Sequence, residues 1–147
     1  MTRLLSATIG LVMAVGCATS SWQENDFVLN GRKVRLSSSE MEKLRGAWSV
    51  PAPYSKFKTA LTASEAQSTV DFIALSESLK DRANPCRTLI LEAIDPSPPD
   101  IATLAGRHTP ASRFDEKWAV TACGTRRAYR AYHPQYSTVL AVEEVRL

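Results

Sequence analysis

The 147-residue chain is 44% hydrophobic and 22% charged, close to the average for globular proteins. This composition excludes a low-complexity disordered chain, and the length suits a single domain with a sizeable core. The formal net charge of +3 is too small to indicate nucleic-acid binding, so we expect no nucleic acid among its partners.

The first residues have the character of a secretory signal peptide. Arg3 provides a positive charge, and the uncharged run from Leu4 to Val15 follows it. As a helix this run would span only about 18 Å, whereas a bilayer core is about 30 Å thick. The run is therefore too short for a stable transmembrane helix and is typical of an exported protein.

The signal-like run ends at Ala14-Val15-Gly16-Cys17, which resembles the lipobox of bacterial lipoproteins. In that family a diacylglyceryl group is attached to the cysteine thiol, and a peptidase cuts the chain immediately before it. The resemblance therefore implies a signal peptide over residues 1–16 and lipidation of Cys17. Ala14 stands where leucine is commonest in the family. A simple signal peptide beside an unrelated cysteine is the alternative.

The same resemblance implies a location. A lipidated Cys17 would anchor the chain in a membrane outside the cytoplasm. Ala18 follows it, where aspartate is the familiar inner-membrane retention signal, so we expect the outer membrane with the protein facing the periplasm. Residues 17–25 are then the lipidated N-terminus and tether, and residues 26–147 form a single globular domain.

Residues 27–29 and 32–36 are predicted to be the two strands of a β-hairpin. Between them lies Asn30-Gly31, which provides the two positive-φ residues of a type I′ turn. The twist of that turn suits antiparallel strands, so we expect a tight two-residue loop.

Two helices are predicted after the hairpin, separated by a proline-containing loop over residues 47–57. In each helix a hydroxyl side chain and a glutamate three residues later form a capping box, which marks the first turn. The apolar residues that follow recur at helical spacing. The predicted boxes are Ser39 with Glu42 and Thr62 with Glu65, the predicted ends are Gly46 and about Lys80, and the predicted core residues include Trp48, Tyr54, Val70, Ile73, Ala74 and Leu79.

The middle of the chain combines a strand with a long loop. Residues 87–94 are a compact apolar run, which favours a buried strand. The sequence Asp95-Pro96-Ser97-Pro98-Pro99-Asp100 then predicts the end of regular structure. Residues 95–113 are therefore expected to form a long loop, and such loops are often functional.

Three consecutive strands are predicted at the C-terminal end, over residues 117–123, 126–133 and 138–146. A two-residue Gly124-Thr125 loop, with glycine first, matches a type II′ hairpin. One face of this hairpin would then carry Trp118, Val120 and Tyr129 into the core, with Cys123 on the other face. The resulting register pairs Val120 with Tyr129 and Trp118 with Ala131.

The cysteines fit an exported protein. With Cys17 committed to lipid, Cys86 and Cys123 remain, and export would place them where disulfides persist. We predict a disulfide between them; two separate buried thiols are the alternative. The predicted fold class is α+β, a small antiparallel sheet with about two helices and one disulfide.

Arg126, Arg127 and Arg130 form a basic patch on the terminal hairpin and are the candidate binding residues. On a strand, Arg126 and Arg130 share one face and Arg127 lies on the other. A solvated sheet face is the favoured interpretation of this patch, and contact with a polyanion or a lipid headgroup is the alternative.

The sequence from Trp118 to Tyr129 resembles a tryptophan, Cys-Gly and tyrosine pattern near the end of other bacterial envelope lipoproteins. That resemblance implies no activity. His108 and His133 are isolated, so no metal site is predicted. Serine-hydrolase motifs and a Cys-x-x-Cys pair are lacking as well. We therefore expect no cofactor, no catalytic residue and no enzymatic activity.

The leading hypothesis is a non-enzymatic, membrane-anchored envelope lipoprotein, an interaction or structural module. Its partners are the bilayer, through acylated Cys17, and an envelope protein or ligand that the sequence does not identify. The second hypothesis is a periplasmic inhibitor or small-ligand-binding lipoprotein that uses the 95–113 loop. The third is an envelope hydrolase.

Overall fold

The computed structural model describes residues 26–29, 31–96, 115–133 and 139–147. The predicted signal peptide, Cys17, the tether, Asn30 and most of the 95–113 loop lie outside the described residues. The described elements are β1 (Asp26–Leu29), β2 (Arg32–Arg35), α1 (Ser38–Arg45), a 3₁₀ helix (Pro53–Lys56), α2 (Ala63–Lys80), β3 (Leu89–Pro96), β4 (Asp115–Ala122), β5 (Thr125–Tyr132) and β6 (Ala141–Val145).

The described part of the chain is α+β, as predicted. Strands β3, β4, β5 and β6 form an antiparallel sheet in that order, and β1 and β2 form a separate antiparallel hairpin. Helix α2 packs between them. Its residues Val70, Ile73 and Ala74 belong to the core against the sheet, while Leu75 belongs to a second cluster with Phe27 and Met41.

The first hairpin has the predicted two-residue loop. Leu29 pairs directly with Arg32, so only residues 30 and 31 connect the strands. Gly31 has a φ of +74°, which a residue without a Cβ adopts at no steric cost. The predicted hairpin is confirmed, and this turn fixes which side chains of β1 face the core.

Helix α1 begins after Ser37, the first of the three consecutive serines at 37–39 that the sequence offers as N-caps. Its capping box is formed by Ser37 and Glu40, and the prediction of Ser39 with Glu42 was wrong. Both pairs have the required spacing; Ser37 is the one with extended backbone, so its hydroxyl reaches the Glu40 N–H. The predicted end at Gly46 is confirmed.

Helix α2 has the predicted box of Thr62 and Glu65 and the predicted end at Lys80. Leu79, which was predicted to lie in the core, is instead exposed. It lies in the last turn, whereas the apolar residues of α2 that belong to the core against the sheet lie in the preceding turns.

The loop between the helices contains the 3₁₀ helix that starts at Pro53. The predicted anchor Trp48 is buried, and Tyr54 is partly buried against the same core. The Leu89 N–H donates to Ala47 and the Ser49 N–H donates to Leu89, so this loop is joined to the start of β3.

Strand β3 runs from Leu89 to Pro96, so the prediction that regular structure ends at Asp95-Pro96 was wrong. Asp95 pairs with Lys117 across β4. Proline is tolerated here because it is the last residue of an edge strand. The strand is also not buried on both faces, since Ile90 is 44% exposed.

The β4–β5 turn differs from the predicted one. Ala122 pairs with Thr125, so the loop is Cys123-Gly124 and not Gly124-Thr125. Both loop residues have positive φ, +46° and +82°, as a type I′ turn requires, whereas the predicted II′ turn needs only one. The predicted partners of Trp118 and Val120 were therefore wrong.

In the observed register Trp118 pairs with Tyr129 and Val120 with Arg127. Moving the loop by one residue shifts the pairing by two positions, so each side chain keeps its face. Trp118, Val120 and Tyr129 are fully buried, as predicted.

Candidate functional site

The predicted disulfide joins Cys86 and Cys123, whose Cα atoms are 5.8 Å apart. Cys123 is the first residue of the β4–β5 turn, and its N–H donates to the carbonyl of Thr88 at 2.9 Å. The turn is thereby fixed beside the segment that precedes β3. Because Cys123 lies in the turn, Cys86 does not need to reach the far face of the sheet.

Two residues of the predicted arginine patch lie on one face of β5 and are paired with carboxylates. Arg126 Nε donates to Glu92 Oε2 at 3.0 Å. Arg130 Nε donates to Asp115 Oδ1 at 2.9 Å, and its guanidinium stacks on the ring of Tyr132, 4.2 Å from the centroid. Hydrogen bonding to Asp115, opposed by burial, raises the pKa of Arg130. These pairs compensate the charge of that face.

Arg127 lies on the opposite face of β5, as predicted, and differs from the other two. Its nearest described carboxylate oxygen is Glu144 Oε1, 3.8 Å from Nη1, which is too far for a hydrogen bond. Its Nε is buried and has no hydrogen-bond partner among the described residues. The structure therefore does not present the three arginines as one continuous basic patch.

An apolar groove lies between β1, α2 and the start of β6. Its cavity volume is about 450 Å³. Ser64, Glu65 and Ser68 provide the polar groups of its helix wall. The apolar lining residues are Phe27, Val28, Phe72, Val139, Leu140, Ala141 and Val142.

Glu65, at one wall of this groove, uses each of its two carboxylate oxygens in a different contact. Its Oε2 accepts from the backbone N–H and the hydroxyl of Thr62, and its Oε1 lies 3.0 Å from Nε2 of buried His133. Burial raises the pKa of Glu65, but the bonds from Thr62 and the contact with His133 together outweigh it and hold the pKa below its ordinary value. Glu65 is therefore ionised at neutral pH and links α2 to the end of β5.

Tyr129 and Glu77 form a second buried polar pair, between α2 and the sheet. The Tyr129 hydroxyl donates to Glu77, which also accepts from Lys80 Nζ at 2.7 Å. Burial, followed by the bond to Glu77, raises the pKa of Tyr129 well above its usual value, so the phenol stays protonated. The donors and acceptors of this pair bond to each other within the fold, which favours a structural role for Tyr129 and Glu77.

No group of three or more metal-ligating side chains occurs among the described residues. Within the same ranges, no helix is both long and apolar enough to cross a bilayer. The buried carboxylates Asp71, Glu77 and Glu116 each accept hydrogen bonds from neighbouring side chains.

Sequence reasoning did not find the groove, because its walls come from three segments that are distant in the chain. It also did not place Arg146 near Arg127, since the two residues line one cleft only through the pairing of β5 with β6. The continuous apolar run over residues 139–142 was the one local signal for a groove wall. Comparisons of the chain with protein-family models, curated proteins and solved structures found no match.

Proposed function

We propose that this protein is a lipid-anchored envelope lipoprotein whose α+β domain is a non-enzymatic interaction module. The observation that carries the proposal is the disulfide between Cys86 and Cys123. Disulfides persist in exported proteins and are rare in the cytoplasm. Export agrees with the signal-like first sixteen residues.

The pairing also leaves one cysteine for the anchor. Of the three cysteines in the chain, only Cys17 is outside the disulfide, and it follows Gly16 at the end of the uncharged run. The described domain begins at Asp26, so residues 17–25 separate it from the anchor. Fully extended, such a tether reaches about 30 Å, enough for the domain to contact a partner above the membrane surface.

Phase partitioning in a cloud-point detergent tests the anchor. The full chain, expressed in a bacterium that processes lipoproteins, should enter the detergent-rich phase, whereas the Cys17→Ala variant should stay in the aqueous phase. Both should melt at the same temperature, because residue 17 precedes the domain. If the two proteins partition alike, the anchor is wrong.

The groove favours a second candidate function, a small-ligand-binding lipoprotein. Ligand sites are concave, mostly apolar and carry a few polar groups, and the groove meets this description with seven apolar residues and three polar ones on α2. Val28 and Val139 are exposed there, so a small apolar ligand would cover surface that water now contacts.

The neutral fluorescent probe N-phenyl-1-naphthylamine tests this second function. Its fluorescence should rise on addition of the protein and be lost with Val28→Asp, which adds a charge at the groove wall. Ile90→Asp is the matched control, because Ile90 is a similarly exposed apolar residue on β3, outside the groove. Equal probe binding by both variants would exclude the groove as the ligand site.

A further inference from the structure

Arg127 is less completely paired than three other arginines of the described residues. Arg35, Arg45 and Arg130 each donate two nitrogens to one aspartate. Such bidentate pairs are the usual way in which guanidinium donors are satisfied. Arg127 has only a distant carboxylate, 3.8 Å away, and its buried Nε has no partner among the described residues.

Glu144, the carboxylate nearest to Arg127, is engaged elsewhere. Its Oε1 accepts a hydrogen bond from Lys80 Nζ at 2.9 Å, and the same oxygen is the one that Arg127 approaches. A buried donor of a charged group that is left without an acceptor destabilises the fold. The structure as it stands therefore gives Arg127 an incomplete set of acceptors.

The sheet register adds a second positive charge at the same place. The last pair of β5 and β6 is Ala128 with Val145. The ladder ends at this pair, and the next residues beyond it are Arg127 on β5 and Arg146 after β6. Two like charges at neighbouring strand ends repel each other unless something compensates them. Arg146 has no carboxylate partner among the described residues.

Arg127 and Arg146 line one cleft of about 380 Å³ where β5 begins and β6 ends. Arg126 also lines it, but its guanidinium is bound to Glu92. Glu144 is the one acidic side chain of the described lining, so cationic side chains outnumber it. The full described lining is Arg126, Arg127, Ala128, Glu144, Val145, Arg146 and Leu147.

We propose that this cleft is a binding site for a phosphate group, held between Arg127 and Arg146. Phosphate oxygens accept pairs of hydrogen bonds from guanidinium groups, so one anion in the cleft can accept from exposed guanidinium nitrogens of Arg127 and Arg146 and compensate both charges. The group belongs either to a soluble phosphorylated compound or to the headgroup of an anionic phospholipid. The site is independent of the lipid anchor.

The experiment uses the full chain with Cys17→Ala, which has no thiol at position 17 to acylate. Inorganic pyrophosphate is titrated into the ¹⁵N-labelled protein, and amide chemical shifts are followed. We expect saturable shifts at residues 126–128 and 144–147. In the Arg127→Gln/Arg146→Gln variant we expect the affinity to fall at least about tenfold, corresponding to 1.4 kcal/mol or more.

The control is Arg32→Gln/Lys43→Gln, which removes the same number of positive charges from exposed positions on β2 and α1. It should bind pyrophosphate within about twofold of the parent. Thermal melting of each variant verifies that the fold is retained. Absence of saturable shifts in the parent, or equal weakening by both double variants, overturns the proposal.

Vesicle sedimentation separates the two sources of phosphate. The Cys17→Ala chain is mixed with vesicles of phosphatidylglycerol and phosphatidylcholine, or of phosphatidylcholine alone. If the protein sediments only with the vesicles that contain phosphatidylglycerol, and if both pyrophosphate and Arg127→Gln/Arg146→Gln suppress this sedimentation, the ligand is a lipid headgroup. Pyrophosphate binding without sedimentation identifies a soluble phosphorylated compound. Sedimentation that is unaffected by the double variant contradicts the proposed site.

Discussion

Glu116 is a carboxylate in the interior of the domain, and it joins the segment before α2 to strand β4. Its oxygens accept hydrogen bonds from the Thr59 hydroxyl at 2.7 Å, the Ala60 N–H at 2.6 Å and Trp118 Nε1 at 3.2 Å. A buried charge is tolerated only when donors replace the lost water. Glu116 meets that condition, so it stabilises the approach to α2.

Replacing Glu116 with glutamine should destabilise the domain by about 2 kcal/mol. The amide keeps the shape of the side chain but loses the charge, and its NH₂ group faces the donors that bond to Glu116. A hydrogen bond to a charged group contributes about 1.5–3 kcal/mol to stability, so the loss of such bonds accounts for the expected change. Urea denaturation at neutral pH measures the change. Glu143→Gln is the control, because Glu143 is exposed and should cost less than about 0.5 kcal/mol. Equal effects of the two substitutions would contradict the assigned role.

Glu65 gives the domain a pH-dependent contact. Its pKa in the fold lies below the ordinary value of 4.5, so the unfolded chain binds its proton first as the pH falls. The contribution of Glu65 to stability is therefore complete above pH 4.5 and is lost as the pH falls through the folded-state pKa.

The free-energy difference between the parent and Glu65→Gln should shrink as the pH falls below about 4.5. Denaturation curves at several pH values measure it. Glu40→Gln, in the equivalent capping box of α1, lacks a His133 contact and should show a smaller difference at neutral pH. A difference that grows on acidification would show that the sign is wrong.

At the scale of single elements, the two tight turns decide which side chains enter the core. Gly31 has positive φ, and a Cβ placed on it would contact nothing within 4 Å. A substitution there therefore changes stability through backbone conformation alone. A left-handed conformation costs an ordinary residue about 1–2 kcal/mol, and a β-branched residue more.

Gly31→Val should accordingly lower the stability of the domain by about 2 kcal/mol, measured by thermal or urea unfolding. Gly46→Ala is the matched control. Gly46 has a φ of −66°, which any residue adopts, and alanine there should be neutral or slightly stabilising. A valine at position 31 without effect would mean that the β1–β2 turn contributes little to the fold.

The helices and hairpins were predictable because their signals are local. The box of Thr62 and Glu65 and the turn at Gly31 each act over four residues or fewer. The same locality explains the errors. Ser39 with Glu42 has the spacing of a capping box, but Ser37 has the extended backbone that the cap requires. Cys123 adopts a positive φ that sequence propensity does not favour, with its N–H held by Thr88 and its sulfur held by Cys86.

The candidate sites were less predictable because they depend on contacts between distant segments. The groove combines residues 26–28, 64–72 and 139–142, and the phosphate cleft depends on the β5–β6 pairing, which brings Arg127 and Arg146 into one lining. The sequence shows the positive charge of Arg130, but only the folded sheet brings Asp115 and Glu143 close enough to compensate that charge.

At the scale of the whole molecule, the disulfide is a covalent cross-link between two distant segments of the described chain. It connects residues 37 positions apart and ties the β4–β5 turn to the segment between α2 and β3. In the chain-entropy model a loop of this length is worth about 4 kcal/mol, and measured values for lost native bridges run from about 2 to 5 kcal/mol.

Cys86→Ala/Cys123→Ala should therefore lower the free energy of unfolding by about 2–4 kcal/mol, measured by urea denaturation. Added dithiothreitol should destabilise the parent by a similar amount and leave the double variant unchanged. A parent insensitive to reduction, with a double variant equally stable, would show that the bridge makes no contribution.

The anchor and the disulfide can be examined in one experiment. The full-length product is expressed in a lipoprotein-processing bacterium, extracted from its membranes and analysed by non-reducing mass spectrometry. We predict a chain that begins at Cys17, is heavier than the bare polypeptide by its acyl groups, and is lighter by the two hydrogens lost in the Cys86–Cys123 bond. An uncut chain, or a cut chain without lipid, would contradict the envelope-lipoprotein proposal.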